Sequence, residues 1–198
     1  KQMTDSGLRT VAYASGRSNR VDVAARRAVM TGLNQLAGRV ADMNAQKLGT
    51  DLYEVSWHAG ARPDHARWQG KVYTRAQLQH VCGLGTGAGL LGWNCRHTYY
   101  PFSRGVSERA YTDEWLAGQN RKEAGRHAFR DREYNAYEAT QKQRQMETRM
   151  RAQRQKVRLL ERGGADPDDV VIEKCKYQAQ LDEYRNFSRT MKLPTQME

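Results

Sequence analysis

Apolar and polar positions follow different rhythms along the chain, and each rhythm predicts its own kind of element. From about Arg20 to Leu48, the residues Val29, Leu33, Leu36, Val40 and Met43 recur at spacings of three and four, which predicts one helix with these five on its buried face. Ahead of it, Leu8, Val11 and Tyr13 form a short strand-like run that Gly16 ends. Behind it, Gly49 and Thr50 stop the helix. Leu52, Tyr53, Val55 and Trp57 then carry the β-branched and aromatic bias of a strand, which delivers His58 at its end.

Between His58 and Arg104 no period survives. Gly83, Gly85, Gly87, Gly89 and Gly92 crowd one short window, which reads as a tight or flexible loop. From about Thr112 the pattern turns helical and polar, and Met146, Met150, Val157 and Leu160 mark a narrow apolar stripe along a long extended helix. Gly163 and Gly164 suit its C-terminus, and Asp166-Pro167 suits the N-cap and first position of a returning helix. On that second helix Tyr177, Leu181 and Tyr184 repeat at four and three, so they can pack on the stripe, while Phe187 clamps the end. The expected fold is α+β. A small mixed core with Gly-rich loops occupies residues 1–110, and a long basic C-terminal helical hairpin occupies residues 111–198. No internal repeat is present.

Composition sharpens this picture. Hydrophobic residues make up 38% and charged residues 28% of the chain, with a mean hydropathy of −0.91, a lean apolar supply for one compact ball of this size. Part of the chain is therefore expected to be elongated and solvated. Lys and Arg outnumber Asp and Glu by 33 to 22, a formal charge of +11, and between Arg121 and Arg162 there are 13 basic and 6 acidic residues. That excess makes non-specific DNA contact through the basic helices one reading and a solvated or partner-facing helix the other; few aromatics are available there for stacking on bases. No stretch of 18 apolar residues exists and the Lys1–Thr10 segment has no apolar run, so neither a membrane span nor a signal peptide is expected. Cys82, Cys95 and Cys175 are an odd number at wide spacings, which points to reduced thiols.

The chemistry-bearing residues gather in the glycine-rich middle. His58, Arg62, His65 and Trp68 fall in one segment, and Trp93, Asn94, Cys95, Arg96 and His97 in another. Neutral imidazole and thiolate are preferred zinc ligands, so His58, His65, Cys95 and His97 have the composition of a structural zinc site, although a Cys-x-His pair is an awkward spacing for two ligands of one metal. The same residues also read as a hydrogen-bonded lock for irregular loops, with Arg62 and Arg96 tying backbone together and Trp57, Trp68 and Trp93 supplying core area. A third reading is catalytic: His58 or His65 as general base, Arg62 or Arg96 as stabiliser of negative charge, and Asn94 as a donor, with His97 beside them. No nucleophile motif and no Walker or Rossmann glycine spacing accompanies it. Cys82 and Cys175 read as lone thiols of the small-hydrophobe kind.

Asp51 to Tyr73, with its His-Ala-Gly-Ala-Arg-Pro-Asp-His-Ala-Arg-Trp-Gln-Gly core, followed by Gly92-Trp-Asn-Cys-Arg-His97 and Tyr100-Pro-Phe102, resembles the phage minor capsid protein 2 family. Tyr137 to Arg151 and Tyr184 to Arg189 are similar to that family's C-terminal helical region, so the resemblance runs from about Ser6 to the end. The layout is also similar to the phage Mu F-type head-morphogenesis proteins. The resemblance implies a structural protein of a tailed-phage virion, associated with portal and capsid proteins and the head interior during assembly or DNA packaging, and in the host cytoplasm while heads are built. The Mu F-type group has been linked to ADP-ribosyltransferase-like folds. The alternative is therefore an enzyme or toxin-like module, an ADP-ribosyltransferase or a nuclease, with His58, Arg62, His65, Asn94, Arg96 and His97 lining an open cleft; fold alone does not carry activity. A structural role predicts buried, mutually satisfied imidazoles, and a catalytic one predicts accessible imidazoles.

Overall fold

The computed structural model describes residues 10–16 and 18–195, so Leu8 of the expected first strand lies outside the described residues. The chain is α+β and divides into two compact units: residues up to His58 with Pro63–Leu116, and Ala59–Arg62 with the residues from Ala117 onwards. Among the described residues, no helix is long and apolar enough to cross a membrane.

In the first unit, β1 (Thr10–Ala12) and β2 (Ser18–Arg20) form an antiparallel hairpin that runs into helix α1 (Val21–Leu48). Gly49 ends the helix at φ 64°, a left-handed conformation that favours glycine. Strand β3 (Leu52–Val55) is followed by α2 (Pro63–Ala66), β4 (Val72–Thr74), α3 (Arg75–His80) and β5 (Tyr99–Phe102). Strand β3 takes the centre of an antiparallel sheet, with Tyr53 opposite Tyr73 on one side and Val55 opposite Tyr99 on the other. The strand ends at Val55, short of the expected Trp57. There the Ser56 amide bonds the Thr98 carbonyl, and Ser56 leads directly into the loop that carries His58.

Helix α1 occupies the expected span but buries the opposite face. Gly38, Ala41 and Ala45 pack on the core, whereas Val29, Leu33, Leu36, Val40 and Met43 are 50% to 60% exposed. The reason is proximity. A Cβ on Gly38 would meet Leu91 Cδ1 at 2.4 Å and the Tyr99 hydroxyl at 3.0 Å, so only a small-residue face fits this close to β5. Polar contacts fix the same approach: the Tyr99 hydroxyl donates to the Gly38 carbonyl at 3.3 Å and to Asp42 Oδ1 at 3.1 Å, and Arg75 Nη1 donates to that oxygen at 2.7 Å.

Helix α4 (Asp113–Ala124) spans the boundary between the units. In the second unit, β6 (His127–Phe129) and β7 (Arg132–Tyr134) form a tight hairpin where the sequence pattern predicts continuous helix. Arg130, at φ 53°, makes the turn, and the hairpin brings Phe129 and Tyr134 edge-on to Phe187 at 5.0 and 5.4 Å. Helix α5 (Ala136–Arg162) begins at a capping box of Asn135 and Glu138, and α6 (Pro167–Thr190) begins with Asp166 accepting the Asp168 amide and proline in the first turn. The two pack as the expected hairpin: Tyr184 and Phe187 are fully buried, and Met146 sits in the same cluster. Glu173 receives Lys176 of its own helix and, across the pair, Gln153 and Lys156 of α5, and these hydrogen bonds hold its carboxyl down to about 2.

Candidate metal centre

The centre is built by irregular chain in the first unit. The end of β3 leads to Ser56 and His58, α2 supplies His65, the turn after it supplies Trp68 and Gln69, and the segment entering β5 supplies Cys95 and His97. His65, Cys95 and His97 are 2%, 6% and 3% exposed and converge, with one ligand atom of each within 4.8 Å of the others. Nδ1 of His65 lies 3.3 Å from Nδ1 of His97, and Cys95 Sγ lies 3.8 and 3.6 Å from those two nitrogens. The Cys-x-His spacing that looked awkward is no obstacle. The segment is not helical, and in extended chain residues two apart face the same side.

The outer nitrogens are held as well. His65 Nε2 is 2.9 Å from the Ala88 carbonyl, and His97 Nε2 is 2.9 Å from Gln69 Oε1. Gln69 Oε1 also accepts the His58 amide at 2.9 Å, which identifies that atom as the carboxamide oxygen. The Ala88 carbonyl comes from the glycine-rich loop, which is tight rather than flexible: a Cβ on Gly89 would meet the Gly83 oxygen at 2.0 Å, and one on Gly92 would meet the Gly87 oxygen at 2.5 Å. Trp68 walls the cluster, with its ring 4.5 Å from His65 and 4.8 Å from His97.

The remaining residues of the two segments stand elsewhere. His58 Nε2 is 3.0 Å from Ser56 Oγ, and its ring meets His97 edge-on at 5.0 Å, outside the converging trio. Burial lowers its pKa, the positive charge of Arg96 lowers it further, and a hydrogen bond to the Arg96 backbone opposes both. Asn94 and Arg96 are exposed; Asn94, at φ 56°, accepts from Arg27 Nε at 3.3 Å. Trp93, expected in the core, is 63% exposed and lies against Gly87, where a Cβ would meet its ring at 2.9 Å. Arg62 belongs to the second unit. Burial pushes the Cys82 thiol up to about 12, as suits a core residue, while Cys175 is exposed and all three cysteines are free.

The six residues of the catalytic reading thus occupy unlike environments, two buried, two half-buried and two exposed. Glu54, the carboxylate ahead of the block, is itself buried and accepts the Ala110 amide at 3.0 Å. Sequence reasoning missed Gln69 and the Ala88 carbonyl. Gln69 stands in the Trp-Gln-Gly run, but nothing in its type says that it orients an imidazole, and a backbone carbonyl leaves no trace in side-chain chemistry.

Compared with known proteins, the chain matches the family model described as Phage minor capsid protein 2 over residues 1–188. No curated protein and no solved structure matches it.

Proposed function

The chain belongs to the phage minor capsid protein 2 family, a structural protein of the virion, and on that premise we propose that it is held in the head through the exposed apolar seam of α1, docked on a helix of the portal or a capsid protein. The observation that carries this reading is the seam itself. Val29, Leu33, Leu36, Val40 and Met43 follow one another at four, three, four and three, the repeat with which one helix packs along another, and the chain's own core uses the opposite face. A contiguous apolar face on a chain this polar marks an interaction surface.

The test is incorporation into particles. Leu33→Asp combined with Val40→Asp should lower the copies per purified head at least tenfold, because losing one anchor worth about 2 kcal/mol already changes affinity more than tenfold. The melting temperature of the free protein should hold, since both side chains are exposed. Unchanged incorporation would remove the seam from the account.

A second observation favours contact with packaged DNA. The outward side of α5 carries Arg144, Arg149 and Arg158 in exposed positions, within the stretch holding most of the charge excess. Their binding to duplex DNA should be independent of sequence and fall steeply between about 50 and 200 mM salt. Filter binding across that range with two unrelated duplexes checks it, and salt-resistant binding would contradict it. On this reading the protein associates with heads in the host cytoplasm as they are assembled and packaged.

A further inference from the structure

The trio in the first unit has the shape of a metal site. Zinc bonds nitrogen at about 2.0–2.1 Å and thiolate sulfur at about 2.3 Å, so a tetrahedral face has a nitrogen–nitrogen edge of about 3.3–3.4 Å and nitrogen–sulfur edges of about 3.5–3.6 Å. The corresponding distances here are 3.3, 3.6 and 3.8 Å. Tautomers point the same way. The Ala88 carbonyl and Gln69 Oε1 can only accept, so both outer Nε2 atoms carry hydrogen, which leaves Nδ1 as the lone-pair nitrogen of a neutral ring, and the two Nδ1 atoms face each other. Two such nitrogens 3.3 Å apart beside a sulfur, inside a closed core, form a donor set whose spacing suits a cation between them. An outer nitrogen donating to a carbonyl or carboxamide oxygen is also what holds a metal-binding imidazole in place.

We propose that His65 Nδ1, Cys95 Sγ and His97 Nδ1 bind one zinc ion as three corners of a tetrahedron, with Gln69 and the Ala88 carbonyl orienting the two rings. A solvent molecule takes the fourth corner, and His58 stays on Ser56. The ligand set of two imidazoles and one thiolate selects zinc over harder cations such as magnesium or calcium. Binding releases the Cys95 proton and cross-links α2 to the segment entering β5, so the ion stabilises the first unit.

The test uses the full chain, purified without chelator under reducing conditions. Mass spectrometry of the metal should find one zinc per chain, and a chelator should lower the melting temperature by roughly 5 °C or more. Cobalt(II) exchanged into the wild-type protein should give a thiolate-to-cobalt charge-transfer band and tetrahedral visible bands. The band should persist in His58→Ala and Cys175→Ser and vanish in Cys95→Ser and His97→Ala. Because the ligand variants can fail by misfolding, the wild-type protein decides. No metal retained after refolding with zinc, together with no charge-transfer band after refolding with cobalt, overturns the site, as does a band that survives Cys95→Ser.

Discussion

Phe187→Ala should cost the second unit about 3–5 kcal/mol, the range for removing a fully buried aromatic ring. Phe187 has no exposed surface, and it is the point at which the hairpin β6–β7 is joined to α6, through edge-on contacts with Phe129 at 86° and Tyr134 at 85°. Each such pair adds about 0.5–1.5 kcal/mol beyond area burial. Met146 and Tyr184 complete the same cluster, so its loss should loosen both long helices. Urea unfolding followed by far-ultraviolet circular dichroism measures the effect, with Phe187→Leu expected to lose distinctly less because it keeps most of the volume. A loss below about 1 kcal/mol for the alanine variant would mean that the hairpin does not depend on this ring.

Gly89→Ala should be the corresponding lesion in the first unit, costing roughly 1–3 kcal/mol or more. The added methyl would lie 2.0 Å from the Gly83 carbonyl oxygen, with the Gly83 backbone behind it, and backbone has no rotamer by which to move away. The loop would have to open. Doing so would strain the bond from the Leu90 amide to the Cys82 carbonyl, 2.8 Å long, and displace the Ala88 carbonyl that orients His65. Gly32→Ala is the matched control: it lies on α1 with nothing within 4 Å of the added carbon and should be stabilising by about 0.5–1 kcal/mol. Thermal denaturation of both variants beside the wild type separates a packing effect from a general intolerance of alanine, and a Gly89 variant as stable as the Gly32 variant would contradict the close approach.

Where a residue type has a single local use, the sequence announced its structure. Gly49 at the end of α1, Gly163 and Gly164 after α5, and Asp166-Pro167 at the start of α6 all act as their chemistry dictates. The face that α1 buries was not legible for a different reason. A helix with large apolar residues on one side and Gly38, Ala41 and Ala45 on the other has two faces able to pack, and the distance to the sheet, set by Tyr99 and Leu91, decides which one does. The hairpin β6–β7 was missed because each strand is three residues long, too short for alternation to show, and because Arg130 makes its turn without glycine.

At the candidate metal centre, residue types were readable and convergence was not. The residues named from ligand chemistry include the three that meet, but they are brought together by chain segments some thirty positions apart, His65 and Cys95 among them. His58 was grouped with them because it shares their chemistry and their neighbourhood in the sequence. The hydroxyl of Ser56, two positions earlier, holds its ring instead.

The central claim, that the apolar seam of α1 docks on another protein of the head, is tested most directly by cross-linking within assembled particles. A photoreactive amino acid placed at Leu36, in the middle of the seam and 57% exposed, would be activated in purified heads and its products identified by mass spectrometry. The account predicts cross-links to a helix of the portal or a capsid protein, lost when Leu33 and Val40 are replaced by Asp. Cross-links only between two copies of this chain, or none beyond those of a probe on the opposite, buried face, would contradict it.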